Sequence, residues 1–395
     1  MKFKDRVILH CDANNFFASV ETVSRPDLAN KPVAVSGNPQ KRTGIILAKN
    51  ELAKKHGVKT GEAIWMARQK CPDLVCLPPH HDLYEQYSQK LKQIYLSYTE
   101  KVEPFGIDEC WLDVTSSTRL FGSGPEIAEK IRQQVKKELK ITVSVGVSFC
   151  KIFAKLASDL KKPDAVTIID KNNFKKIIYP LPINAIMGIG RKMEQALQKM
   201  NVLTLGDYVA LPDNLLDKKW GIVGVELKQK LLGNDTSEVA SQISTPKSVG
   251  NGTTTIVDIT TEEEFIATIG FLSEKIATRL REKSLLAGGV GVYVKTADFE
   301  HFSKERKLDY PTNSSSVIAQ NAMKILKSFW NFDTPVRAVR VHTFALVDEQ
   351  ALTQASLFFD TKKQRLGYGL DQIWNKYGPD AIALASSVKS NFLNK

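Results

Sequence analysis

Between residues 241 and 252 the chain reads SQISTPKSVGNG, a polar stretch rich in Ser, Thr and Gly. It has too little apolar surface to pack as an element and reads as a linker. The hydrophobic patterns on its two sides must therefore close separate cores. A chain of 395 residues, 43% of them hydrophobic, exceeds one compact core and suffices for two to four domains.

Ahead of the linker, strand and helix periods interleave. Arg6 to Cys11 (RVILHC) reads as a short buried strand, Phe16 to Val23 as the start of a helix, and Lys31 to Ser36 (KPVAVS) as a second apolar run. Ile45 to Lys55 is expected to be a helix stopped by Gly57. Asp82 is expected to cap a long helix with Leu83, Tyr87, Leu91, Ile94 and Tyr98 at helical spacing. Ser123 and Pro125 open another, whose apolar face is Ile127, Ile131, Val135 and Leu139. Strands are expected at Cys110 to Val114, Ile141 to Ser148 and Ala165 to Ile169. The class is α+β, with the helices expected on one face of the central sheet. From Leu181 the texture changes to short helices, with Met187-Gly188-Ile189-Gly190 as a turn between two of them and a looser helical run from Trp220 to Leu232.

Past the linker, a strand ends near Val257 and a helix runs from Glu262 with Phe265, Ile269, Leu272, Ile276 and Leu280 on one face. Strands follow at Val290 to Thr296 and Lys304 to Tyr310, then a helix after Ser314–Ser316 and a strand at Val336 to Leu346. Strand–helix–strand–strand–helix–strand is a ferredoxin-like order. The tail past Gln350 reads as short and partly helical.

A net charge of +12 suggests a polyanionic partner, nucleic acid or an anionic membrane. The five cysteines, Cys11, Cys71, Cys76, Cys110 and Cys150, are odd in number and include no CxxC pair. Neither a disulfide framework nor a zinc site is indicated, which fits a reducing cytosol. The N-terminus reaches Asp12 before a signal peptide could form, and no run of eighteen apolar residues occurs.

Three acids carry the chemistry. Asp12 ends the first strand, and Asp108 and Glu109 sit just before another, remote in sequence. Magnesium prefers hard oxygen ligands. Two such ions a few ångströms apart activate an attacking oxygen and neutralise a leaving pyrophosphate. Neighbouring strand residues point to opposite faces, so Asp108 and Glu109 can both contribute only if the chain turns there, as Gly106 would allow. On the residues alone, solvated acids at strand ends are the competing reading.

The words around these acids are longer. His10 to Thr22 (HCDANNFFASVET), Pro104 to Thr115 (PFGIDECWLDVT) and Val143 to Pro163 (VSVGVSFCKIFAKLASDLKKP) resemble the three signature segments of Y-family translesion DNA polymerases, in order and spacing. The likeness runs from about Arg6 to Gly233 and continues more weakly to the tail. It is nearest to bacterial DNA polymerase IV-like members, while ETVSRPDL and CDANN are also similar to the catalytic subunit of DNA polymerase V.

The resemblance implies a right-hand architecture: a ferredoxin-like palm (1–22 and 78–170), small fingers (23–77), a helical helix-hairpin-helix thumb (171–240), a linker (241–252), a ferredoxin-like little finger (253–348) and a tail (349–395). It implies low-fidelity, template-directed primer extension with dNTPs in translesion synthesis and DNA repair, using two Mg²⁺ ions. Asp12 and Asp108 would be metal ligands, Glu109 a third catalytic carboxylate, and the Ala13 carbonyl a further ligand. Phe17 matches the steric gate, beside Phe16 at the nucleotide, and Lys54 and Lys155 match triphosphate contacts. Gly188, Gly190, Arg191 and Lys192 resemble a helix-hairpin-helix phosphate site. Lys295, Arg337 and Arg340 are candidate contacts to the DNA backbone. Gln354 to Phe358 (QASLF) resembles a sliding-clamp peptide, with Gln354, Leu357 and Phe358 as its anchors. The expected state is a cytoplasmic monomer without a membrane partner.

Some positions depart from the pattern. Glu51 stands where the polymerase IV-like members usually carry a Tyr that bonds the triphosphate. Gly106, Cys110 and Asn14 replace a common Ser, Ala and Asp. The alternatives are a DNA-binding scaffold that kept the fold, which has no reason to retain three acids where phosphates approach, and a two-metal nuclease.

Overall fold

The computed structural model describes residues 6–42, 44–241, 245–350, 361–378 and 381–382. Its contacts divide the chain into two compact units, residues 1–37 with 45–243, and residues 38–44 with 244–395.

The first unit opens with β1 (Ile8–Ala13), α1 (Phe16–Val23), β2 (Val33–Ser36), β3 (Ile46–Lys49), α2 (Glu51–Lys55), α3 (Ile64–Lys70) and β4 (Val75–Leu77). It continues with α4 (His81–Leu96), β5 (Val102–Pro104), β6 (Glu109–Asp113), α5 (Thr118–Phe121), α6 (Gly124–Leu139), β7 (Val143–Ser148), α7 (Lys151–Leu160) and β8 (Val166–Ile169). Further helices complete it: α8 (Phe174–Ile178), α9 (Arg191–Gln198), α10 (Leu205–Ala210) and the longer α11 (Asp213–Leu231), which is kinked at Gly221.

The main sheet has the order β5-β6-β1-β7-β8, antiparallel except for the parallel β7–β8 pair. Alternation divides its residues. Leu9, Cys11, Val143, Val145 and Val147 join Tyr84, Leu91, Ile127, Ile131 and Val135 from α4 and α6 in one buried core. The other face is not bare, contrary to the expectation of helices on one side. There α7 packs against β1 and β7. The reason is Gly146, opposite His10 in the ladder: a Cβ on it would lie 1.9 Å from the Ala154 carbonyl oxygen. With no side chain at that point the helix sits directly on the sheet. Phe153 and Leu156 of α7 join Phe174, Leu197, Tyr208 and Leu216 in a second core shared with these further helices. Burial on two sides clamps α7 firmly; removing a ring such as Phe153 would cost about 3–5 kcal/mol.

Three local expectations change. The run from Ile45 to Lys55 is not one helix: Ile46–Lys49 pairs with β2, and Asn50 then caps α2 by accepting from Ala53 N at 2.9 Å. A strand wins there because Ala34 and Val35 offer a buried edge to pair with. Asp82 does not cap α4; it lies in the first turn, after His80 and His81, and Tyr98 lies past the helix end. Acid in a first turn still favours the helix through its dipole. The linker is shorter than its composition suggests, since β9 begins at Ser248. Gly250 and Gly252 are polar-sequence residues in a ladder, where a Cβ would meet His342 Cβ at 2.9 Å and Arg340 Cβ at 3.0 Å. The expected capping of α6 does hold, as a reciprocal Ser123–Glu126 box with Pro125 in the first turn.

The second unit contains β9 (Ser248–Ile259), α12 (Glu262–Glu282), β10 (Leu285–Thr296), β11 (His301–Thr312), α13 (Ser315–Lys327), β12 (Val336–Asp348) and α14 (Thr361–Tyr377). The strand–helix–strand–strand–helix–strand order is as expected, and the antiparallel sheet runs β11-β10-β12-β9. Phe265, Ile269, Leu272 and Ile276 of α12 pack on Val290, Val292, Val339 and Val341. Arg281, almost without solvent contact, bonds Asp371 of α14 at 2.5 and 2.7 Å, so α14 belongs to this unit's fold. Residues 38–44, expected in the fingers, group here too, with Arg42 bonding Asp258 at 2.6 Å.

Candidate active site

The three acids converge at one end of the main sheet. β1 and β6 pair so that Asp12 faces Glu109 directly and His10 faces Trp111. Opposed residues in an antiparallel pair point to the same face. Asp108 lies in the bend before β6, and its carbonyl accepts from Ala13 N at 3.0 Å, continuing the ladder. The turn comes from Gly106 at φ +100°; the Cβ it lacks would lie 3.5 Å from Asp108 Oδ1 and 3.8 Å from Glu109 Cγ. Two consecutive acids therefore reach one region.

Cations hold two of these carboxylates. Lys162 Nζ donates to Asp12 Oδ2 at 2.8 Å and pairs with Asp159 at 2.8 Å. Lys155, one turn into α7, donates to Glu109 Oε2. His10 Nε2 lies 3.2 Å from the same oxygen without hydrogen-bond alignment. Its Nδ1 meets Ser158 Oγ at 2.8 Å, and that hydroxyl donates to the Lys155 carbonyl at 2.7 Å. The α7 packing that Gly146 permits is thus what brings Lys155 and Ser158 to the acids.

The electrostatics differ among the three. Burial, then the neighbouring Asp12 and Glu109 charges, push the Asp108 carboxyl up to about 6. Burial raises Asp12 too, against the pull of Lys162. Burial also works against ionised Glu109, but contact with His10 and Lys155 outweighs it and the net shift is downward. Burial lowers His10. Crowded acids, two of the three raised chiefly by burial and further by their neighbours' charge, are a donor set that a hard divalent cation would relieve. The oxygens fit such an ion in kind, but they are not pre-gathered: among the described residues no three His, Cys, Asp or Glu side chains already form a cage. Binding would take Asp12 from Lys162 and Glu109 from Lys155.

Phe17 is partly buried at the start of α1 and stacks on Tyr84, with ring centroids 4.1 Å apart and 12° between planes. Tyr84 donates its hydroxyl to the buried Glu21, which also meets His80 Nδ1 at 2.9 Å. Phe16 has 3% exposure and lies in the core, where its ring backs that of Phe17 at 5.9 Å between centroids. Lys54 is exposed on α2 and lies 3.6 Å from Glu51. Gly188, at φ +107°, and Gly190 precede α9, whose first residues are the exposed Arg191 and Lys192. In the second unit Lys295 and Arg340 share the sheet face opposite α12 and α13, and Arg337 stacks with Lys295 on Phe299. Gln354, Leu357 and Phe358 lie outside the described residues. Sequence reading missed His10 and Lys162, although both stand inside the quoted segments; nothing in their spacing marks them as partners of acids.

A sheet end with three acids and two lysines, followed by helices with a Gly-x-Gly turn at a helix start, is a site suited to phosphoryl transfer on nucleic acid. Residues 11–159 match the impB/mucB/samB family, 171–202 the IMS family HHH motif and 246–357 the impB/mucB/samB family C-terminal domain. The chain belongs to this family, the Y-family DNA polymerases. It is 43% identical to a DNA polymerase IV of Acetivibrio thermocellus over 99% of both chains. It is 36% identical to DNA polymerase IV 2 of Bacillus subtilis, over 98% of this chain and 95% of that one. Among solved structures, a Y-family DNA polymerase chimera of Dbh and Dpo4 aligns with TM-score 0.78 and 26% identity, covering 87% of this chain and 99% of that one. Polymerases of this family are metal-dependent. Among the described residues no helix is long and apolar enough to cross a membrane.

Proposed function

We propose that this Y-family polymerase extends primer 3′ ends on a DNA template with dNTPs, at low fidelity and past damaged bases, with two Mg²⁺ ions at Asp12, Asp108, Glu109 and the Ala13 carbonyl. The observation that carries this is the ladder pairing of Asp12 with Glu109 while Asp108 sits in the adjoining Gly106 bend. Bound Mg²⁺ supplies charge that activates the primer hydroxyl and neutralises leaving pyrophosphate. The chain's own groups do the rest. Glu109 and Asp12 set where the attacking 3′-hydroxyl and the α-phosphate meet in line. Lys155, fixed on α7, neutralises charge growing on the pyrophosphate, and Lys54 holds the outer phosphates. Phe17, stiffened by Tyr84, lies under the sugar and leaves no room for a 2′-hydroxyl, the handle that separates the two sugars.

Gly188, Gly190, Arg191 and Lys192 would hold a DNA phosphate by backbone N–H groups and charge. Lys295, Arg337 and Arg340 would follow the backbone without reading bases. The enzyme would act as a cytoplasmic monomer, tethered to a sliding clamp through Gln354, Leu357 and Phe358. Primer extension with Mg²⁺ tests the reading: wild type should extend and Asp108→Ala should not. Equal extension by both removes it.

A further inference from the structure

One acid near the proposed nucleotide site has no part in the chemistry above. Glu51 is the first residue of α2, and its Oε1 accepts from Asn15 Nδ2 at 3.1 Å. Asn15 lies three residues after Asp12 and two before Phe17, at φ +50°. It precedes α1 yet makes no side-chain cap bond there, although capping is the usual work of Asn at that position. Its amide is spent instead on a residue 36 positions away. Lys54 approaches the same Glu51 oxygen at 3.6 Å. Asn50, by contrast, uses its side chain to fix α2 onto β2, through Val33 N at 3.1 Å and Lys31 O at 2.8 Å. Glu51 is therefore presented from an anchored turn, and its carboxylate joins α2 to the segment carrying Asp12 and the gate ring.

We infer that Glu51 is a positioning residue, a carboxylate latch between α2 and the Asn15 loop that opposes an incoming triphosphate for possession of Lys54. This rests on Lys54 being the triphosphate contact. A triphosphate reaching Lys54 meets a like charge 3.6 Å from that ammonium, so the latch must open or the anion must bind beside it. The latch thereby sets nucleotide affinity rather than the chemical step.

The test is steady-state extension of an undamaged primer–template with varied dNTP, with melting curves to verify folding. Glu51→Gln should lower the dNTP KM roughly five-fold, the factor expected for one unit charge about 4 Å away in water, and move kcat less. Asn15→Gly, which keeps the left-handed backbone, should lower KM in the same direction. The double variant should add little, because both changes open one contact. Lys54→Ala separates the two readings. If it raises KM while Glu51→Gln leaves KM unchanged or raises it, the latch is wrong and Lys54 keeps its role. If Lys54→Ala leaves KM untouched, the triphosphate contact fails and the latch falls with it.

Discussion

Two sheets in this molecule are built from similar parts and carry opposite charge logic. The five-stranded sheet is packed on both faces and gathers Asp12, Asp108 and Glu109 at one end, with Lys162 fixed on Asp12 and with Lys155 and His10 against Glu109. The four-stranded sheet is packed on one face by α12 and α13 and spreads Lys295 and Arg340 over the other, with β11 exposed along nearly its whole length. The difference is one of tolerance. A group that must meet a reacting atom is fixed from several sides, and its crowding is kept at an energetic cost. Groups that follow a polyanion backbone act additively through charge, so none of them needs a fixed partner.

Substitution should make that contrast visible. Asp108→Asn keeps the shape but removes the charge, and primer extension should fall by at least about 10³-fold, as when a group stabilising transition-state charge is lost. The same variant should be more stable than wild type at pH 7 without divalent cations. Asp108 is raised to about 6 from 3.8, so the folded state holds a proton that the unfolded chain releases. Wild-type stability should then fall as pH rises from about 4 through 6, and the Asn variant should lack that part of the slope. Discounted for solvent access, the gain is about 1–2 kcal/mol, readable as a higher Tm. A Tm equal to wild type across that range would mean that the Asp108 carboxyl is not raised in the folded state.

Phe17→Ala tests the helix that follows the first strand of the rigid sheet. It should relax discrimination against ribonucleotides by about 10²-fold in competition assays, and unchanged sugar selectivity would exclude the gate. Lys295→Ala and Arg340→Ala probe the tolerant sheet. Each should weaken DNA binding slightly and lower the slope of log K against log salt by about one. A loss of hundreds-fold from either would erase the contrast between the two sheets.

Much of this was legible in the chain, and the limits are instructive. The second unit's element order followed from the apolar face of α12 and the alternating strands, because burial of one face imposes those periods. The acids were legible because the words around them are long. The strand at Ile46–Lys49 was not, since a short apolar run fits either period and only a free edge on β2 decides between them. His10 and Lys162 were hidden for a similar reason: their partners lie 99 and 150 positions away.

By itself, then, the sequence determined the kind of most elements, the identity of the three acids and the family resemblance around them, because local periodicity and contiguous motifs are written along the chain. Only the tertiary structure decided that α7 covers the second face of the sheet, that Lys162 and Lys155 hold two of the acids, and that Asn15 reaches Glu51. Those outcomes depend on a missing side chain at Gly146 and on contacts between residues far apart in sequence, and long-range proximity is a property of packing.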